Sequence, residues 1–423
     1  MNPPAPAGDA RLIFAAQGVR AFCYGLGAVL LGATLKERGF STGGAGVVLA
    51  AVLAGTVLAS MAIGRWADTW GRRRSYQVLF VALGLSGVAF AYGNALWLLV
   101  PVALTGALST EVVESGPFTS LEQAMLASDL SGRARLRGFG TYNAVATAAG
   151  SLGALAAGGL GPLRDVWSGA PADERAFLLF VPVSLAGALL AGRLSAAVEA
   201  DSAPSHGPTG SRGLRTSRPQ VLRLSALFAA DSFGGGFVVQ SFIAYWLTVR
   251  FGATVSSLGV VFFVIGLLQT ASMLVAPRLA ERYGLLNTMV FTHLPSNLLL
   301  AALAFAPTFG VAVALLLARV ALSQMDVPTR QAYVMALVDP SERTAAAACT
   351  NTARYLVRPV GPALAGASLT IAFGAPFLIA GVIKGAYDVA LWRWFRTVEL
   401  PAEAAEAAVA EPASVPSAVE EVP

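Results

Sequence analysis

Charge is scarce in this 423-residue chain: Asp, Glu, Lys and Arg make up 13% of it, about half the share of a soluble protein, while 56% is apolar. A chain so poor in charge cannot cover the two or three soluble domains that its length would allow. Cysteine is scarce too. Cys23 and Cys349 both fall in apolar segments, which excludes a disulfide framework or a Cys-rich metal site and gives both packing roles. With two histidines there is no His-Glu-x-x-His, and neither Gly-x-Ser-x-Gly nor Gly-x-x-x-x-Gly-Lys-Ser/Thr occurs. No enzyme, no metal, no cofactor and no ATP hydrolysis is therefore expected. Residues 1–11 hold no basic region followed by a cleavage site, so the first apolar run is expected to stay in the protein.

What the sequence has instead is long apolar runs, separated by Gly, Pro and charge. They predict an all-α membrane protein with spans near 12–34, 43–63, 76–92, 96–126, 140–160 and 176–192, and a second set near 223–249, 255–276, 287–306, 309–338, 345–372 and 375–395. The expected units are a first six-helix bundle (1–192), a polar Pro/Gly-rich linker (193–222), a second bundle (223–396) and an acidic disordered tail (397–423). Loops on one side, with the termini, carry eighteen Arg; the other side carries five basic residues. By the positive-inside rule both termini and the linker face the cytoplasm, and the protein sits in the cytoplasmic membrane. The net charge of +5 is spread over alternate loops rather than one face, which argues against a nucleic-acid partner. Trp97, Trp167, Trp246, Trp392 and Trp394 are expected in the interfacial belts.

The two sets of spans resemble each other. Gly64, Asp68 and Gly71 follow span two, and Pro277, Glu281 and Gly284 follow span eight, 213 residues later. Asp129 to Arg133 after span four matches Asp339 to Arg343 after span ten, and Gly153 to Gly158 matches Gly361 to Gly366. An internal duplication of six-span halves with one orientation accounts for all three, and such repeats place a substrate site between them at mid-membrane.

Charges inside spans are costly and face a cavity or a partner, so each is a candidate. They are Arg20 in span one, Glu111 and Glu114 in span four, Asp231 in span seven, Arg319, Asp326 and Arg330 in span ten, and Arg354 and Arg358 in span eleven. Spacings of three and four put Glu111 with Glu114, then Arg319, Ser323, Asp326 and Arg330, then Asn351, Arg354 and Arg358, each on one helical face. A carboxylate in an apolar surround can cycle its proton; Glu111, Glu114 and Asp231 are the candidates, and fixed partnership with an arginine is the alternative. Arg330 and Asp326 can pair with each other. His293, four residues before Asn297, is expected as a packed polar residue.

The loop Gly64, Asp68, Gly71, Arg72, Arg73 resembles the motif between spans two and three of the major facilitator superfamily, with Thr69 in place of its first basic residue. Glu281, Arg282 and Gly284 form a degenerate second copy. Gly361-Pro362 and the run Asp231 to Gly236 look like those of bacterial members. The resemblance implies twelve transmembrane helices in two six-helix pseudo-repeats, a central cavity lined by spans one, four, seven and ten, and a cytoplasmic gate at the motif. It further implies a monomeric secondary transporter whose partners are a small solute, protons and the bilayer. Proton-coupled efflux by antiport ranks first; proton symport uptake, or a uniporter or lipid flippase, are the alternatives.

Overall fold

The computed structural model describes residues 7–109, 111, 116–129, 132–199, 214, 217–338 and 342–398, with backbone only for 127–129, 132–140, 343 and 344. The central part of the linker, the acidic tail beyond residue 398 and Glu114 lie outside the described residues.

The chain folds into twelve helical columns in two six-helix pseudo-repeats. Spans one to three are the continuous helices Ala7–Glu37, Thr42–Trp70 and Arg72–Tyr92. Span four is split into Leu96–Leu104 and Pro117–Asp129, span five into Gly132–Gly158 and Leu160–Val166, and span six joins a 3-10 turn, Asp173–Leu179, to Phe180–Gly192. In the second half span seven is Arg218–Gly236 and Gln240–Phe251, span eight Val255–Tyr283 and span nine Leu285–Leu303. Span ten is Phe309–Ser323 and Asp326–Leu337, span eleven Arg343–Val357 and Val360–Ser368, and span twelve Ala375–Phe395. Among the described residues eight of these columns are long and apolar enough alone to cross a membrane, and the bent span five makes a ninth. The other three hold Glu111, the His293–Asn297 pair, and Arg354 with Arg358.

The duplication is visible in local geometry. Gly71 and Gly284 both turn the chain with positive φ, +96° and +83°, a conformation costly for any side chain. Both donate their N–H to the carbonyl four residues back, Ala67 or Ala280, at 2.9 Å. Ser41 caps span two through the N–H of Gly44 at 3.1 Å, and Thr254, 213 residues on, caps span eight through Ser257 at 3.3 Å.

Several expectations need correcting. Span four is not one helix: Gly106, at φ +70°, leaves the helical region against Gly55, and Pro117 starts a new segment. Glu111 therefore lies in non-helical chain; its expected partner on one face, Glu114, lies outside the described residues. Span ten breaks at Gln324 and Met325, so Arg319 and Ser323 sit on one segment and Asp326 and Arg330 on the next. Arg358 closes the first segment of span eleven instead of continuing it. Span seven begins at Arg218, inside the expected linker, with Pro219 in its first turn. Trp246 is no belt residue: it is fully buried, its indole N–H donating to the Phe373 carbonyl at 2.6 Å and its ring against Phe377. Trp97, Trp167 and Trp394 are exposed.

Successive spans alternate in direction, so the molecule has an end bearing both termini and a far end. The halves meet towards the far end, through glycines whose missing side chains let backbones touch. A Cβ on Gly46 would stand 2.6 Å from the Pro362 carbonyl oxygen, and one on Gly259 2.4 Å from the Gly158 Cα. Gly32 is similarly pressed on the Ser241 carbonyl, 2.3 Å from its would-be Cβ. Away from that seal, towards the terminus end, the halves enclose a cavity.

Candidate substrate cavity and charge cluster

The cavity is about 890 Å³, and seven of the span charges read from the sequence line it: Glu111, Asp231, Arg319, Asp326, Arg330, Arg354 and Arg358. Six of the seven belong to the second half. The first half contributes mainly uncharged polar groups, among them Thr119, Gln123, Asn143, Thr147 and Ser151.

Arg20 is not on the cavity wall as expected. It is 1% exposed and its Nη2 meets Glu122 at 2.7 Å, a carboxylate with no exposed surface. Glu122 also accepts hydrogen bonds from the Tyr76 hydroxyl at 2.5 Å and from the Tyr142 hydroxyl. Arg20 in turn donates to Gln17, and the rings of Tyr24 and Phe118 stand 5.0 and 5.1 Å from its guanidinium. A buried pair with its hydrogen bonds filled in this way locks spans one, three, four and five together. It is a structural unit, closed to a solute.

The second half holds the opposite kind of cluster. Asp231 in span seven accepts from Lys384 of span twelve, whose Nζ also reaches the Asp231 carbonyl oxygen at 3.4 Å. His293 Nε2 and Arg330 Nη1 each stand 3.8 Å from the Asp231 carboxylate. Arg330 is held at 2.5 Å by Asp326, one turn away on the same segment, which is the pairing their spacing suggested. Behind the wall His293 Nδ1 lies 2.8 Å from Asp388, and Asn297 donates to the other oxygen of Asp388 at 2.8 Å. His293 thus stands between two carboxylates, one buried behind it and one on the cavity wall. Each ring nitrogen of His293 faces a carboxylate, Nδ1 that of Asp388 and Nε2 that of Asp231. Packing alone does not describe it.

Among the described residues one ion pair crosses between the halves: Arg358 Nη2 meets Glu111 at 3.0 Å, with both side chains partly exposed to the cavity. Arg319 is different. Among the described residues it makes no hydrogen bond or ion pair, and its Nε is buried without a partner, although it faces the cavity.

At the terminus end, Asp68 pairs with Arg72 at 2.8 Å and is half exposed. The main-chain N–H groups of Arg72 and Arg73 donate to Glu199 at 2.6 and 3.2 Å, placing a carboxylate on the positive end of span three. Arg73 also donates to the Gly192 carbonyl at 2.8 Å. In this conformation Arg72 and Arg73 therefore fasten span three to the chain leaving span six. Gly64, Glu281, Arg282 and Gly284 are exposed, and Arg282 lies over the Tyr283 ring at 5.3 Å.

Sequence reading missed Glu122, Lys384 and Asp388. All three lie inside expected spans, and Lys384 is one of only two lysines in the chain, four residues before Asp388. A full census of ionisable residues within the apolar runs would have found them.

A twelve-span carrier with a central charged cavity is the class this architecture defines. The family model described as Major Facilitator Superfamily matches residues 13–362 and 232–421, and the chain belongs to that superfamily. It is a secondary transporter of that type. It is similar to the uncharacterised membrane protein YJR124C of Saccharomyces cerevisiae, 26% identical over 390 residues, covering 85% of this chain and 87% of that one. The uncharacterised MFS-type transporter YceJ of Bacillus subtilis is 28% identical over 132 residues, 31% of this chain and 34% of its own. In fold it resembles the nucleoside transporter NupG (TM-score 0.69, 15% identity, 92% of this chain and 99% of that chain). It also resembles a D-xylose-proton symporter (TM-score 0.63, 14% identity, 90% and 97%).

Proposed function

We propose that this protein couples protons to the movement of a small solute by alternating access, working as a monomer in a cytoplasmic membrane with both termini in the cytoplasm. The excess of arginine on the terminus side supports the orientation. In that orientation the glycine seal faces outward and the cavity serves the cytoplasm. We place the first bundle at 1–192 and the tail at 397–423 as read from the sequence, and move the start of the second bundle from 223 to Arg218.

The observation that carries the proton coupling is Asp231, which lies on the cavity wall between Lys384, Arg330 and His293, with Asp388 behind. Of the three carboxylates considered from sequence, Glu111 is engaged with Arg358 across the halves, which suits a fixed charge. Arginine holds its proton throughout a working cycle, and Glu114, the third candidate, lies outside the described residues; we assign the exchangeable proton to the cluster of Asp231, His293 and Asp388. Protonating Asp231 removes a negative charge from a wall rich in cations. That raises the affinity for an anion, so proton and anion travel together, which is symport. For a cation the signs reverse and the proton competes with the solute, which is antiport, the efflux reading.

The test is flux in proteoliposomes. Asp231→Asn should abolish transport driven by a pH gradient yet preserve counterflow of solute, because exchange does not need the proton to leave. If Asp231→Asn, and likewise His293→Gln, keep full pH-driven flux, the proton path does not run through this cluster, and the uniporter or flippase reading takes its place.

A further inference from the structure

Four arginines, Arg319, Arg330, Arg354 and Arg358, and Lys384 line the cavity, against three described carboxylates, Glu111, Asp231 and Asp326. Each carboxylate already has a cation: Glu111 has Arg358, Asp231 has Lys384, and Asp326 has Arg330. Arg319 makes no hydrogen bond or ion pair among the described residues, and its Nε is buried with no acceptor. Its segment ends at Ser323, so Arg319 lies one turn before the mid-span break of span ten, about two turns of chain ahead of the Asp326–Arg330 pair.

While the cavity is open, water can solvate that charge. When the halves close over the solute, water must leave, and a desolvated cation without a counter-charge costs several kcal/mol. A neutral or cationic solute leaves that cost in place. An anion removes it, and a guanidinium offers such a group a planar two-point contact. The rest of the wall is rich in amides, Gln123, Asn143, Gln240, Gln269, Gln324 and Asn351, which suit a hydroxylated or otherwise polar body.

We propose that the transported solute is a small polar organic anion whose charged group seats on Arg319. The proposal rests on reading this cavity as the transport site and fixes its substrate class. With an anion, proton coupling at Asp231 becomes symport, the second of the couplings read from the sequence.

Two measurements on the purified full chain test it, neither of which depends on proton coupling. In the first, Asn351→Cys, on the cavity wall, is placed in a background with Cys23→Ala and Cys349→Ala. Its alkylation rates with an anionic and a cationic methanethiosulfonate are compared, each relative to free thiol. One uncompensated positive charge should favour the anionic reagent by about tenfold or more, and Arg319→Gln should bring the ratio close to one while Arg319→Lys keeps it. A ratio at or below one in the parent overturns the proposal. In the second, a small-molecule cell extract is split on an anion-exchange column, and each fraction is added to the protein while its melting temperature is read. The retained fraction should raise it, with the rise lost in Arg319→Gln and partly kept in Arg319→Lys. A rise from the flow-through alone, or from neither fraction, overturns the proposal. Loss of pH-driven flux is a separate readout, so a failed proton reading and a failed anion reading leave different records.

Discussion

Gly366 lies where span eleven crosses span two, and it gives the sharpest handle on the conformational cycle. A Cβ there would stand 2.4 Å from the Thr42 carbonyl oxygen, 3.0 Å from the Gly46 Cα and 3.2 Å from the Gly46 nitrogen. All three are backbone atoms, so no side chain can swing away. Carbon–oxygen contacts normally begin near ~3.3 Å, so Gly366→Ala must part the two spans by about 1 Å. Overpacking of this sort costs about 1–3 kcal/mol. The state with the far end sealed bears that cost, whereas the gain in helix propensity from Gly to Ala is common to both states. The equilibrium should therefore move about 5- to 150-fold towards the state open at the far end. The assay is labelling of Ser241→Cys, a position fully buried in the far-end seal, by a membrane-impermeant maleimide added on the side away from the termini. Gly43→Ala is the control, because a Cβ on Gly43 meets nothing within 4 Å. Equal labelling rates in Gly366→Ala, Gly43→Ala and the parent would show that the glycine contact is not what holds the far end shut.

Three further outcomes are expected. Glu122→Gln leaves Arg20 charged and fully buried without a counter-charge, and should cost about 3–5 kcal/mol; a melting temperature within a degree of the parent would remove the structural role assigned to the pair. Glu111→Gln breaks the ion pair between the halves; because both partners are partly exposed its worth is about 1 kcal/mol, so far-side labelling of Ser241→Cys should rise by about fivefold, and a fall would mean that the pair belongs to the other state. Asp68→Asn, if the acid helps to close the terminus end, should slow transport and lower far-side labelling; no change in either leaves Asp68 with only its local bond to Arg72.

The twelve columns, their duplication and the charged cavity were legible because they are written in local terms: apolar length, the 213-residue offset, and charge inside lipid-length runs. The Asp326–Arg330 pair followed from a spacing of four on a helix. What escaped was set by partners far along the chain. Nothing near Trp246 announces that Phe377 and the Phe373 carbonyl will bury it. Nothing around Arg20 says that its partner is 102 residues away at Glu122 instead of on the cavity wall. The break in span four follows from Gly106 lying against Gly55, a contact between columns that periodicity within one column cannot express. His293 was read by the usual behaviour of a polar residue in an outer helix, and its role depends on Asp388 of span twelve, which the charge census had passed over.

The closed Arg20–Glu122 unit also bears on how such a carrier can change what it carries. Its oxygens and nitrogens are occupied inside the first half, so substitutions around it are paid in folding and return nothing at the cavity. The second half carries its ionic residues on four spans, and in spans seven, ten and eleven on separate segments ending at helix breaks, where a side chain can be exchanged without unseating a neighbouring turn. A selection for altered solute preference should therefore draw its winners lopsidedly from the second half. The duplicated halves began as equals, and they have diverged into a frame and a bench: one keeps the shape, and the other is where new chemistry can be tried.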